Sequence, residues 1–431
     1  MPFAGHLPIA GHLPKLRRAC ASRWRRAIAI AAAPTIAAIL LAGCSGTFNT
    51  SDLFPNALPQ PPAPAPAAMA PIAPPPAPSL NLGTGAVKVG LILPLSATGN
   101  AGTAGQAMRN AAEMALAEFS EPNIQLLAKD DSGTGQGAQF AAQQVIDEGA
   151  EIILGPLFAH SVTVAKQVVR AHGVPIIAFS TDTNVASSGV YLLSFLPESD
   201  VDRIVAYAIS QGKRSFVGLI PSNAYGTVVE GEFKQAVARR GGRVIALEHY
   251  PEGKVGDAVR VVTQAAGRAD ALFIPDSRDG VTEVMQALAT AGINLRQFAL
   301  LGTQLWDDPL WDNSKVFANP LLEGGWYPAP DPAGFRAFAG RYRSRYGQDP
   351  PRPAALAYDA VALVAALVKT QGAQRITNEI LANPSGFAGI DGVFRFRNDG
   401  TNQRGLAVLR VTPSGGQVIS PASRNFSQSA I

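Results

Sequence analysis

Cysteine is nearly absent: two in 431 residues, Cys20 and Cys44. So few thiols exclude a disulfide framework and a cysteine cluster for zinc. Histidine is scarce too, at five, and neither His172 nor His249 has a partner at metal-ligand spacing. No Gly-x-Ser-x-Gly elbow, His-Glu-x-x-His pair or Walker sequence occurs, so the commonest hydrolase and nucleotidase chemistries have no motif here. Ser210-Gln-Gly-Lys213 matches Ser-x-x-Lys but lacks the companion motifs of β-lactam enzymes. The expectation is a protein that is not an enzyme, with no cofactor and no metal. The N-terminal apolar run, Ala27–Leu41, is shorter than the ~20 residues of a membrane span and is broken by Pro34.

What is present begins with charge of one sign. Five arginines (Arg17, Arg18, Arg23, Arg25 and Arg26) and Lys15 precede the apolar run, and the first 43 residues hold no acid. That order is a signal peptide's positive region, apolar region and small-residue cleavage site. Removing its six cations from the chain's 36 basic residues leaves 30 against 32 acidic ones, so the mature protein is slightly acidic. The basic isoelectric point therefore gives no reason to expect nucleic acid as a partner. Leu41-Ala42-Gly43-Cys44 resembles the lipobox of bacterial lipoproteins, in which the cysteine is lipidated and becomes the new N-terminus. Ser45 after it resembles the outer-membrane sorting pattern. Residues 55–78 are a Pro/Ala tract, which cannot build a core and spans about 70 Å as an extended spacer.

From Val87 to about Ser420 strand-like and helix-like segments alternate. Val87–Leu93, Ile124–Ala128, Glu151–Leu154 and Val174–Phe179 are apolar and largely β-branched. Between them Gly102–Phe119, Gln136–Glu148 and Ser161–Ala171 have helical spacing. The pattern restarts with a helix at Asp200–Gln211 and strands at Ser215–Ile220, Val244–Tyr250, Ala271–Ile274 and Ala299–Leu301. Continuous apolar strands between amphipathic helices predict parallel sheets covered on both faces. About 330 ordered residues exceed one ordinary core, which predicts two lobes.

Val89-Gly-Leu-Ile-Leu-Pro-Leu-Ser96, Gly149-Ala-Glu-Ile-Ile-Leu-Gly-Pro156, Val174-Pro-Ile-Ile-Ala-Phe-Ser180, Ala357-Tyr-Asp-Ala-Val361 and Gly389-Ile-Asp-Gly-Val-Phe-Arg-Phe-Arg-Asn-Asp-Gly400 resemble successive motifs of the type I periplasmic-binding-protein family. Within it, the chain is similar to the leucine/isoleucine/valine-binding branch over residues 87–415. The resemblance implies an α/β fold of two doubly wound parallel-sheet lobes joined by three crossovers, with ligand clamped between them. The expected organisation is a signal peptide at 1–43, a lipid-anchored linker at 44–85 and a flexible tail at 421–431. Lobe one is expected at 86–198 with 328–388, and lobe two at 199–327 with 389–420. The crossovers are expected near Leu196–Asp200, Trp326–Pro330 and Gly386–Gly392.

Ligands of doubly wound sheets gather where strand carboxyl ends feed helix N-termini. Ser96, Ser161, Thr181 and Thr183 supply hydroxyls in such loops, and each has helix capping as its alternative role. In amino-acid-binding relatives a serine after the Gly-Pro turn holds the ligand carboxylate. Ala159 aligns there, with His160 and Ser161 next. The resemblance further points to Glu198 or Asp200 near the first crossover, and to Asp276 in the second lobe. It aligns Gln304 with the acid that binds an amino acid's ammonium group, where an amide lacks the charge for that bond. Tyr225, Trp306 and Trp311 are candidate cleft aromatics, the tryptophans having surface packing as the alternative. Gly99, Gly102 and Gly105 are expected to serve turn geometry.

Two functions follow. One is an extracytoplasmic lipoprotein that binds an amino acid or similar small molecule and feeds an ABC permease by clamp closure. The other rests on Leu91-Ile-Leu-Pro-Leu-Ser96, Gly105-Gln-Ala107 and Gly149–Leu157, which also resemble the C-terminal domain of penicillin-binding-protein activators. It would make the chain an outer-membrane regulator whose partner is a peptidoglycan synthase.

Overall fold

The computed structural model describes residues 80–307, 320–371 and 376–426. The signal segment, Cys44, the Pro/Ala tract and Trp311 lie outside the described residues.

The first sheet contains β1 (Leu80–Leu82), β2 (Val87–Leu93), β3 (Ile124–Asp130), β4 (Ile152–Leu154), β5 (Ile176–Ala178) and β6 (Val190–Leu192), in the order β1-β3-β2-β4-β5-β6. All pairs are parallel except β1 on β3. Six of the seven residues of β2 are buried, because helices cover both faces. Helices Gly99–Glu118 and Pro353–Gln371 pack Met108, Leu356 and Val364 on one side. Helices Gly135–Asp147 and Ala159–Arg170 pack Val145, Val162 and Ala165 on the other. Helix Pro353–Gln371 is apolar nearly all round because it also lies against helix Gly99–Glu118.

The second sheet repeats this plan. Its parallel strands are β7 (Ser215–Pro221), β8 (Arg243–Tyr250), β9 (Ala271–Phe273), β10 (Ala299–Leu301) and β11 (Trp326–Ala329). Helices Pro197–Ser210 and Ala224–Arg239 bring Ile204 and Phe233 to one face. Helices Gly256–Ala265 and Arg278–Thr290 bring Val262, Val284 and Met285 to the other. In both sheets the first parallel strand (β2 and β7) lies between the next two (β3 and β4, β8 and β9), which puts the topological switch point beside it.

A third, antiparallel sheet consists of β12 (Phe387–Gly389), β13 (Gly392–Phe396) and β14 (Asn402–Arg404). It corrects the expected third crossover. Phe394 and Phe396 are buried in the first lobe's core, and the Asn402 side-chain amide donates to the carbonyls of Leu192 and Ser194 at 2.7 and 2.8 Å. The chain therefore stays with lobe one through Arg404 and crosses at Gly405–Leu406, not at Gly386–Gly392. It then forms β15 (Ala407–Thr412) and β16 (Gly415–Ser420), which extend the second sheet antiparallel from β11. Of the expected tail, residues 421–426 are described, and Phe426 is buried beneath the Arg395 guanidinium, 4.6 Å from its ring centroid.

Glycine is required where backbones meet. A Cβ on Gly102 would lie 1.9 Å from the Ala97 carbonyl oxygen, which holds the loop after β2 against its helix.

Candidate ligand-binding site

The loops after β4, β5 and β6 and the start of helix Pro353–Gln371 enclose a pocket of about 370 Å³. Leu157, Phe158, Phe179, Phe195 and Leu356 form its apolar wall, and Arg352 supplies a guanidinium. Ser180, Thr181, Asp182 and Ser194 add polar groups. All but the last helix's residues come from strand carboxyl ends, where this fold class collects ligands.

The residues expected from sequence divide into several small groups. Thr181 lines the pocket, and Thr183 donates to Glu198 Oε1 at 3.1 Å. Ser96 meets the Ser132 hydroxyl at 2.8 Å, and its N–H donates to Asp130. His160 stacks on Phe158 and contacts the Gly133 carbonyl at 3.0 Å. Ser161 is fully buried, and its hydroxyl donates to the Thr134 carbonyl.

In the second lobe the Tyr225 and Asp276 side chains bond within their own lobe. Tyr225 donates to Thr303 Oγ1 at 2.8 Å, and burial holds its phenol well above the usual range. Asp276 accepts from the Tyr250 hydroxyl at 2.6 Å. The Gln304 backbone N–H donates to Asp200 Oδ2 at 3.0 Å, while its side-chain Oε1 is buried with no partner. Burial pushes Asp200 up to about 8, with Glu198 and Asp307 adding to the rise and the Gln304 N–H and Arg404 opposing it. Trp306 is fully buried and its indole donates to the Ile274 carbonyl, so it belongs to the second lobe's core and not to the cleft.

Charges missed by the sequence reading cluster at the crossovers. Arg404 is buried, donates to the Ser194 carbonyl at 2.9 Å and lies 4.5 Å from the Phe195 ring centroid. Arg352 bonds the buried Asp391 at 2.8 Å and reaches across to Asp307 of the second lobe at 3.9 Å. Asp359 accepts from the Ile390 N–H, and burial pushes it up to about 7. The sequence signal for Arg352 is one cation in Pro350-Pro351-Arg352-Pro353, directly before an apolar helix.

A family model described as periplasmic binding protein matches residues 86–417. The chain belongs to this family. The fold is shared with a protein from Rhodospirillum rubrum assigned provisionally as a branched-chain amino acid ABC transporter. That structure aligns with a TM-score of 0.69 and 21% identity, over 77% of this chain and 99% of the other. A solute-binding protein of Rhodopseudomonas palustris BisB5, solved with 3,4-dihydroxybenzoic acid, aligns at 0.56 and 19%, over 78% and 96%. A leucine-binding protein of Thermotoga maritima MSB8 aligns at 0.53 and 18%, over 78% and 98%. An uncharacterised protein of Rickettsia prowazekii (strain Madrid E) is 19% identical over 182 residues, 42% of this chain and 48% of that one. The chain thus spans about half the length of this curated relative.

Proposed function

We propose that the chain is a periplasmic solute receptor, tethered by lipid at Cys44, that delivers an amino acid or similar small molecule to an ABC permease. The observation that carries this reading is the pocket of about 370 Å³ at the carboxyl ends of the first lobe's strands, whose Arg352 lies 3.9 Å from Asp307 of the second lobe. A solute docks on the first lobe, the second lobe swings over it, and the permease recognises the closed form. Family membership and the bound solutes of the fold relatives support it.

The regulatory reading is favoured by one specific observation. The Tyr225 and Asp276 side chains are engaged with their own lobe, as suits a lobe that binds no solute. Calorimetric titration of the purified protein, unfolded and refolded to strip co-purified ligand, separates the two. Micromolar binding of one of the twenty amino acids or a small organic acid is the expected outcome. Silence across that panel, with the protein folded, sinks the receptor reading and favours a peptidoglycan synthase as partner.

A further inference from the structure

The hydroxyls that sequence offers for a ligand carboxylate are mostly engaged. Ser161 bonds Thr134, Ser96 bonds Ser132, Thr183 bonds Glu198, and Ala159 offers none. Arg352 is different. Its guanidinium lies 4.5 Å from the Phe335 ring centroid and 5.5 Å from that of Phe195, within cation–π range of both. One Nη donates to Asp391 at 2.8 Å, while Nε is buried with no acceptor. The other Nη reaches only as near as 3.9 Å to Asp307, beyond hydrogen-bond length. The Nη that lacks a close acceptor belongs to a side chain lining the pocket, and a carboxylate is the acceptor a guanidinium binds most strongly.

We propose, resting on the solute-receptor reading, that Arg352 is the specificity-determining residue of the first-lobe pocket. It takes the carboxylate of a compact hydrocarbon acid whose apolar body lies on Phe158, Phe179, Phe195 and Leu356. The pocket volume suits a ligand of that size, and aromatic walls favour a branched or planar body. A ligand amino group adds little, because the amide of Gln304 stands at the position aligned with the ammonium-binding acid. Asp307 is the competitor: two carboxylates at one guanidinium repel, so the acid of the second lobe gives way when ligand enters.

The test compares leucine, 4-methylpentanoate, benzoate and 3-methylbutylamine by calorimetry on the purified protein. Wild-type protein is expected to bind one of the two simple acids at least as tightly as leucine, and the amine at least a hundredfold more weakly. Arg352→Gln should weaken the acids about tenfold to a hundredfold, the loss of one charge-assisted bond, and Arg352→Lys should recover part of this. Asp307→Asn leaves the Asp391 contact intact and should tighten acid binding about threefold, which keeps the test decisive if Arg352→Gln fails to fold. Unchanged acid affinity in Arg352→Gln, or unchanged affinity in Asp307→Asn where Arg352→Gln does not fold, overturns the inference. So does amine binding equal to that of the acids. No binding by wild type of these probes, the twenty amino acids or other small monocarboxylates overturns the receptor reading itself, and with it this inference.

Discussion

The first and second lobes are built on the same strand order, yet the loops at their strand ends do opposite things. In lobe one the loops after β4, β5 and β6 stand apart and leave a pocket walled by three phenylalanines and a guanidinium. In lobe two the loops after β7, β9 and β10 close on themselves. Tyr225 bonds Thr303, Asp276 bonds Tyr250, and Trp306 packs so tightly that a Cβ on Gly302 would lie 2.1 Å from its ring. A shared topology therefore fixes where a ligand can sit without deciding which lobe recognises it. On the receptor reading proposed above, the first lobe recognises the solute and the second closes over it.

The sharpest way to break this asymmetry is to fill the pocket. Ala159 lines it at the start of helix Ala159–Arg170. Ala159→Trp should abolish solute binding, a loss of more than about a hundredfold, because the indole occupies volume that ligand needs. The matching change in lobe two, Gln304→Ala, should alter affinity less than about threefold. Calorimetry on both variants decides it, with thermal unfolding as the check on folding. If the lobe-two change is the more damaging one, the assignment of roles is reversed.

A second test acts within lobe one. Replacing Thr181 and Thr183 together by Ala should weaken binding about tenfold, in line with one or two lost hydrogen bonds to a charged group. The single variants should differ: Thr181 lines the pocket, whereas Thr183 is held by Glu198 at 3.1 Å. Thr181→Ala should account for most of the double variant's loss. Equal losses in both single variants would place Thr183 on the ligand as well.

The residues show why the fold was easier to read than the site. Strands such as Val87–Leu93 and Ser215–Pro221 are apolar throughout because both faces are covered, and their alternation with helices signals two parallel sheets. The third sheet was missed because β13 alternates Phe394 and Phe396 with Arg395, and β14 is only three residues long. Such segments carry little periodic signal, and their allegiance to lobe one depends on Asn402 reaching the carbonyls of Leu192 and Ser194, more than 200 positions away. At the site, the sequence displays every hydroxyl but not which ones are engaged. Arg352 gains its surroundings from Phe195, Phe335 and Asp391, three distant segments. Local pattern cannot reveal a cation whose environment is assembled by tertiary structure.

The smallest effect is on stability, and it sets a carboxyl held in lobe two against one held in lobe one. Burial pushes Asp200 up to about 8 and Asp359 up to about 7 from an ordinary 3.8. Between pH ~4 and those values the folded protein keeps protons that the unfolded chain has released. Their contribution to stability is fully present below pH ~4 and is lost as pH rises through about 7 to 8. Each retained proton corresponds to a slope of at most about 1.4 kcal/mol per pH unit. Asp200→Asn keeps an oxygen to accept the Gln304 N–H and removes the titration. Urea unfolding at pH 5, 6, 7 and 8 should show wild-type stability falling over this range and the variant falling less steeply, with Asp359 and the other buried carboxyls that burial raises, Asp131 and Asp391, responsible for the remainder. An unchanged slope in the variant would mean that Asp200 is ionised in the fold, and that the second lobe holds a charge facing the cleft after all.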